Sequence, residues 1–329
     1  MVQEKKVIDQ VSGWLTLFDD GSVDRTWAGP PEVKFMTDAV PPHHHFVEGV
    51  ATADVAASKN LKLRIYLPEK QETDAEKLPV LLHFHGGGFC ISEANWYMYY
   101  AVYTRLAREA RAIVVSPYLR LAPDHHLPAA IDDGLAALRW LSAGAGGEPW
   151  LHEHADMGRV FLIGDSSGGN IVHQVAAMAG GEGLRVAGAI PVHPGFCRQR
   201  RSRSEVENPE TPFLTLDMMD KFLALALPAG ATKDHPITCP MGEAAPPLEG
   251  MKLPPYLYCV AEQDLMWDTE MEFYEAMKRA KKEVELVVSS GVGHSFYLNK
   301  IAVDMDHTTA TQTHELFQRI KQFIHYHYV

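Results

Sequence analysis

The chain has 329 residues, 46% of them hydrophobic and 22% charged, with a formal net charge of −12. That composition supplies a large core and excludes a disordered or fibrous chain, while the acidic balance disfavours nucleic acid and anionic membranes as partners. Four cysteines without C-x-x-C spacing, Cys90, Cys197, Cys239 and Cys259, are too scattered for a disulfide framework and read as reduced thiols. The opening MVQEKKVIDQVSGW lacks an apolar signal core, and no stretch reaches the roughly twenty apolar residues of a membrane span. N-x-[ST] acceptor sites are absent as well. The expectation is a cytoplasmic protein, with a nuclear pool left open.

In chain order, residues 1–45 stand outside any regular repeat. They hold a short helix-like piece, a hairpin around LFDDGSV and a proline-rich stretch ending PPHHH. From residue 46 the pattern becomes rhythmic. FVEGVATADV and LKLRIYL read as strands that pair antiparallel at a sheet edge, and six apolar runs follow: LPVLLHFH, AIVVSPY, RVFLIG, VAGAIPV, PYLYCVAE and VELVVSS. Such runs suit central strands covered by helices on both faces. Helical periodicity falls between them, near residues 96–110, 128–141, 168–180 and 269–281. Strand and helix in alternation predict an α/β fold with a mostly parallel central sheet, whose ligands bind at the carboxyl ends of the strands. Residues from about 195 to 250 break the rhythm with polar residues, prolines and an apolar helix around LDMMDKFLALAL. With 1–45 they are expected to cap the sheet of a single 1–329 domain.

Chemistry enters at FLIGDSSGGN, residues 161–170, where an apolar run meets a serine boxed by glycines. In G-x-S-x-G, here Gly164-Asp165-Ser166-Ser167-Gly168, strand turns into helix so tightly that flanking side chains would collide. The serine hydroxyl is lifted above the sheet with a helix N-terminus behind it. A hydroxyl is a poor nucleophile until a base takes its proton. In the fold that uses this elbow, the partners follow in the order Ser, Asp or Glu, His, each in a loop after a later strand. PYLYCVAE leads into Gln263-Asp264, and VELVVSS into Gly291-Val292-Gly293-His294, so Ser166, Asp264 and His294 are the candidate catalytic residues. A carbonyl oxygen that becomes negative also needs donors. His85-Gly86-Gly87-Gly88 follows the strand LPVLLHF, where glycines let bare N–H groups approach a substrate, and the Ser167 N–H adds another. This chemistry requires no metal and no organic cofactor.

HGGGF, GDSSGG and GVGHSF resemble the plant carboxylesterases of the hormone-sensitive-lipase-like branch of the α/β-hydrolases, and the likeness covers nearly the whole chain. DGSVDRTWAGPPEVKFM, ITCPMGEAAP and DTEMEFYEAM are similar, within that family, to the tobacco hypersensitive-response-related esterase and its relatives. The resemblance implies an α/β-hydrolase fold and a serine carboxylesterase acting on small esters. Ser166 would be nucleophile, His294 general base and acid, and Asp264 its orienting carboxylate. Gly87, Gly88 and Ser167 would be the oxyanion donors, with His85 bracing the glycine loop. The partner implied is a small-molecule ester, with no nucleic acid, membrane or obligate protein partner. One stretch departs from the pattern: where relatives often read DYRLAPEHRLP, this chain has YLRLAPDHHLP at 118–128. Two other classes resemble the same fold. Gibberellin receptors have lost the catalytic histidine, whereas His294 remains here, and isoflavonoid dehydratases alter the glycine loop or the serine, whereas HGGG and Ser166 stand intact.

Rival readings attach to several residues. Asp268 competes with Asp264, but Thr269 and Glu272 have the spacing of a capping box and assign Asp268 to a helix start. Asp165, the elbow's own neighbour, is expected to aim elsewhere. His43-His44-His45 cannot all face one ion in an extended chain and read as a solvated loop. RQRRSRS, residues 198–204, reads as a solvated cap loop in so acidic a chain. Phe89, Phe196, Phe213 and Tyr297 are candidates to line the substrate pocket, with core packing as the rival explanation for each.

Overall fold

Apolar runs become central strands where helices cover both faces, and the structure, a computed structural model that describes residues 5–72 and 77–326, follows that rule. A small antiparallel sheet comes first: β1 (Val7–Val11), β2 (Leu15–Phe18) and β3 (Val23–Asp24). The long strands β4 (Val50–Ser58) and β5 (Leu61–Pro68) follow. Alternation then begins with β6 (Leu78–Phe84), α1 (Tyr97–Ala110), β7 (Ile113–Pro117), α2 (Ala129–Ser142), α3 (Pro149–His154), β8 (Ala155–Asp165), α4 (Ser167–Glu182) and β9 (Gly188–Val192). The helices α5 (Arg203–Glu207) and α6 (Leu216–Ala226) interrupt it. It resumes with β10 (Tyr256–Ala261), α7 (Trp267–Arg279), β11 (Val284–Ser289), α8 (Lys300–Met305) and α9 (His307–Tyr326).

Among the described residues the main sheet has eight strands in the order β11-β10-β9-β8-β6-β7-β5-β4. It is parallel from β11 to β7, and β5 runs antiparallel to both of its neighbours. Side chains alternate between two covered faces. His83 of β6 packs on Tyr103 of α1 and Phe161 of β8 on Phe323 of α9, while Phe84 points to the other face, beside Gly134 of α2. The chain leaves β6 for β7 on one side and returns to lay β8 on the other. A crevice therefore opens at the carboxyl ends of β6 and β8, the position where open α/β sheets bind ligands.

Two expectations need correction. VELVVS is an edge strand, not a central one: among the described residues β11 pairs with β10 alone, and Val288 is 42% exposed. Its glutamate already marks the half-open face. The 20-residue helix α9 went unread because threonines and histidines dilute its pattern, yet Leu316, Phe317, Ile320, Phe323 and Ile324 form one buried stripe. The four cysteines are buried and unpaired. His43 is committed to the His45 carbonyl and the Tyr100 hydroxyl. In the basic run, Arg198 pairs with Glu272 and Arg201 with Asp220. No helix among the described residues is long and apolar enough to cross a membrane.

Candidate active site

Strand β8 is buried from Arg159 to its last residue, Asp165, and α4 starts at Ser167. Ser166 alone makes the turn, with φ 52° and ψ −124°, a conformation that residues with a Cβ rarely adopt. Three backbone bonds hold it there: its N–H donates to Val192, and its carbonyl accepts from Gly169 and Gly195. A Cβ at Gly168 would lie 2.0 Å from the Phe84 carbonyl oxygen, and one at Gly164 2.5 Å from that of Gly168, so only glycine fits on either side of the elbow.

Asp264 follows β10 and His294 follows β11, adjacent parallel strands paired along their whole length, so both loops emerge at one end of the sheet. His294 Nδ1 donates to Asp264 Oδ2 at 2.6 Å, and the Met266 N–H donates to Oδ1 at 3.0 Å. Burial alone would raise the Asp264 carboxyl. The charge and hydrogen bond of His294 more than offset it and hold the group below the usual aspartate value. Asp268 faces α5 instead, where it accepts from the Ser204 N–H at 2.8 Å. The capping box at Thr269 does not form, because α7 begins two residues earlier; the Thr269 hydroxyl donates to Phe196 and Met266, and Glu272 goes to Arg198. Ser166 and His294 line one cavity, with no hydrogen bond joining them among the described residues. In unliganded enzymes such catalytic bonds often tighten only when substrate arrives.

The loop after β6 is tied down beside the elbow. Gly86 N–H donates to Tyr99 Oη at 3.1 Å, and that hydroxyl donates to Asp165 Oδ2 at 3.3 Å. His83 bridges Asp165 Oδ1 and Ser116 Oγ. Asp165 thus sits beneath the turn. Burial pushes His85 down to about 4, so it is neutral at pH 7 and its Nδ1 donates to the Gly86 carbonyl at 2.9 Å. Gly87 has φ 101°, which favours glycine, and Phe89 N–H donates to Ser167 Oγ at 3.2 Å, locking loop to elbow. Among the described residues nothing accepts from the N–H groups of Gly87, Gly88 or Ser167.

Above Ser166 lies a cavity of about 70 Å³. Trp14, Phe89, Phe213, Met218, Met219 and Phe222 form much of its wall, and no lysine or arginine among the described residues lines it. Phe196 is placed in the core against Phe273, and Tyr297 packs on His193 and Phe317, so neither reaches this wall. Sequence reading passed over Trp14, Tyr99, His83 and His193. No local motif marks the first three; His193, just after a strand in VHPG and at φ 45°, carries a faint turn signal.

A serine elbow at the crevice of a mostly parallel sheet, with histidine and carboxylate delivered by two later strands, is the layout of an α/β hydrolase. The family model for the alpha/beta hydrolase fold matches residues 81–298, and the chain belongs to that family. A probable carboxylesterase of Arabidopsis thaliana is 36% identical, covering 98% of this chain and 92% of its own. A gibberellin receptor of the same plant is 36% identical over 85% and 83%, and a 2-hydroxyisoflavanone dehydratase of Glycyrrhiza echinata 32% over 97% and 97%. Among solved structures, a Pyrobaculum calidifontis esterase superposes with a TM-score of 0.69 at 26% identity, covering 89% and 87% of the two chains. Family and esterase relatives together support a carboxylic ester hydrolase.

Proposed function

We propose that the chain is a serine carboxylesterase that hydrolyses small, uncharged esters through an acyl-enzyme. Ser166 Oγ attacks the ester carbonyl as His294 Nε2 takes its proton. The carbonyl oxygen, now negative, is received by the N–H groups of Gly87, Gly88 and Ser167. Collapse expels the alcohol, protonated by the imidazolium, and water then repeats the sequence on the acyl-serine with the same imidazole as base. Asp264 remains ionised, fixing the tautomer that keeps Nε2 free to accept and stabilising the imidazolium.

The observation that carries this reading is the 2.6 Å bond from His294 to Asp264, at a cavity that also holds the strained Ser166. An apolar wall without fixed cations suits a neutral ester. Segments 1–45 and about 195–250 act as the cap, supplying Trp14 and the α6 side chains to that wall. A cytoplasmic location belongs to the same proposal. The test is an aryl phosphonate with mass spectrometry of the digest: one adduct on Ser166, with short-chain aryl ester hydrolysis lost in step. Hydrolysis that persists in fully labelled protein refutes the proposal.

A hormone-binding reading draws on Trp14, which carries the N-terminal segment to the cavity, and on the receptor relative. Repeated product release from one protein molecule separates turnover from binding. A dehydratase reading has the intact glycine loop and Ser166 against it.

A further inference from the structure

Helix α7 carries a carboxyl group that the proposed reaction does not use. Glu270 is fully buried, and neither of its side-chain oxygens has a hydrogen-bond partner among the described residues. Met266 links the Glu270 backbone to Asp264: the Met266 N–H donates to Asp264 Oδ1 at 3.0 Å, and the Met266 carbonyl accepts from the Glu270 N–H at 2.8 Å, which sets Glu270 one helical turn beyond the residue that caps Asp264. An ionised carboxylate at that depth, unpaired and beside a second negative charge, is strongly disfavoured. Burial first, and then the Asp264 charge, push the Glu270 carboxyl well above its usual range. Glu270 is therefore a neutral acid, and a neutral acid is an O–H donor.

A second unspent donor lies near the same carboxylate. His193 Nδ1 accepts from the Ser295 N–H at 2.9 Å, which leaves the ring proton on Nε2, a buried atom without a partner. A ring nitrogen of His193 lies within 4.8 Å of ligating atoms of both Asp264 and His294. On the acceptor side, an ionised carboxylate offers about four lone pairs. At Asp264, His294 and Met266 occupy two of them. Buried donors without acceptors and a buried carboxylate with lone pairs to spare are complementary sets.

We infer that Glu270 is a positioning residue of the triad: it donates toward the spare lone pairs of Asp264, directly or through a water, and with His193 steadies the carboxylate that orients His294. The other titratable groups acting around it, Tyr258 and Cys259 on β10, are themselves held neutral by burial, so Asp264 is the charge that Glu270 answers. The kinetic part of this inference rests on the esterase reading; the protonation part does not.

The experiment compares wild type with E270Q and E270M. Above pH 4.5, the ordinary glutamate value, the unfolded chain releases the Glu270 proton while the native state keeps it. The folding constant of wild type should therefore fall about tenfold per pH unit relative to E270Q above pH ~5. In kcat/KM profiles, Gln keeps a donor and Met does not. E270Q should leave the acid limb within about 0.3 unit of wild type. E270M should raise that limb by roughly half a unit and lower kcat about tenfold with KM little changed, because Asp264 stripped of a donor holds the imidazolium more tightly. Parallel stability curves for wild type and E270Q, an acid limb lowered by a unit in E270Q, or an E270M limb coincident with wild type each overturn the inference. Should E270M fail to fold, the far-downfield Nδ1–H proton resonance of His294 decides: displaced in E270Q it supports the contact, unmoved it removes it. Protein that hydrolyses no ester sinks the esterase reading, while the stability arm still decides the state of Glu270.

Discussion

The cavity has a floor and a roof of opposite construction. The floor consists of loops at the carboxyl ends of β6, β8, β10 and β11, and several of its polar groups are held by named bonds: Asp264 by His294 and Met266, His85 by Gly86, Ser167 by Phe89. The roof is apolar. Trp14, Phe213, Met218, Met219 and Phe222 meet by packing, and a Lys221–Asp9 ion pair at 2.7 Å joins α6 to β1 at the surface. The difference teaches that the floor is specified atom by atom, since charge transfer fails if one donor moves, whereas the roof is specified by volume, which several side chains can share.

The sharpest way to break that contrast is at the proposed nucleophile. Ser166→Ala should lower kcat on the order of 10⁶-fold while the variant still binds a non-hydrolysable ester analogue, measured by single turnover and by titration. Asp264→Asn leaves the shape but offers the wrong tautomer, and should cost about 10⁴ in kcat. A drop of less than tenfold would show that Asp264 does not orient His294.

Acid should weaken the floor and the sheet beneath it through histidines that cannot take a proton in place. Burial holds His85 and His173 neutral down to about 4 and His193 down to about 3. Unfolded histidines protonate near 6.5. Below that value the unfolded state binds more protons, so the histidines' contribution to stability is flat above pH ~7 and falls as pH drops from ~6.5 toward ~4, by up to about 1.4 kcal/mol per pH unit for each histidine. Urea midpoints of E270Q, which lacks the opposing Glu270 titration, at pH 7 and pH 5 measure this, and equal midpoints would contradict it.

The roof should respond more gently. Phe222 rests on the glycine loop, its ring 2.6 Å from where a Cβ on Gly88 would lie. Phe222→Ala should shift preference toward longer acyl chains by about 1 to 3 kcal/mol in kcat/KM ratio, read from a series of aryl esters. Lys221→Ala should cost under about 1 kcal/mol of stability, since its ion pair is partly exposed. A larger loss by thermal melt would mean that charge, and not packing, secures the roof.

How much could be read beforehand follows the same division. Gly164, Gly168 and Ser166 were legible because a tight turn is a local event with local residue demands. Asp264 and His294 stood out as candidates because each lies in the loop a few residues after a strand-like run. Phe196 and Tyr297 misled, since an aromatic looks the same in sequence whether it faces a cavity or, as here, the core. Thr269 misled because capping-box spacing recurs inside a helix that starts earlier.

The amino-acid sequence by itself determined the strand and helix rhythm, the elbow, the glycine loop and the order of the candidate triad, because backbone conformation and hydrophobic period act over a few neighbouring residues. Only the tertiary structure decided that Tyr99 ties Gly86 to Asp165, that Trp14 reaches the cavity from the opposite end of the chain, that His193 lies near the Asp264 carboxylate, and that Glu270 is buried without a side-chain partner among the described residues. Most of those features depend on residues far apart in the chain, and their energies come from burial and unmatched polar groups that exist only once the sheet has closed around them.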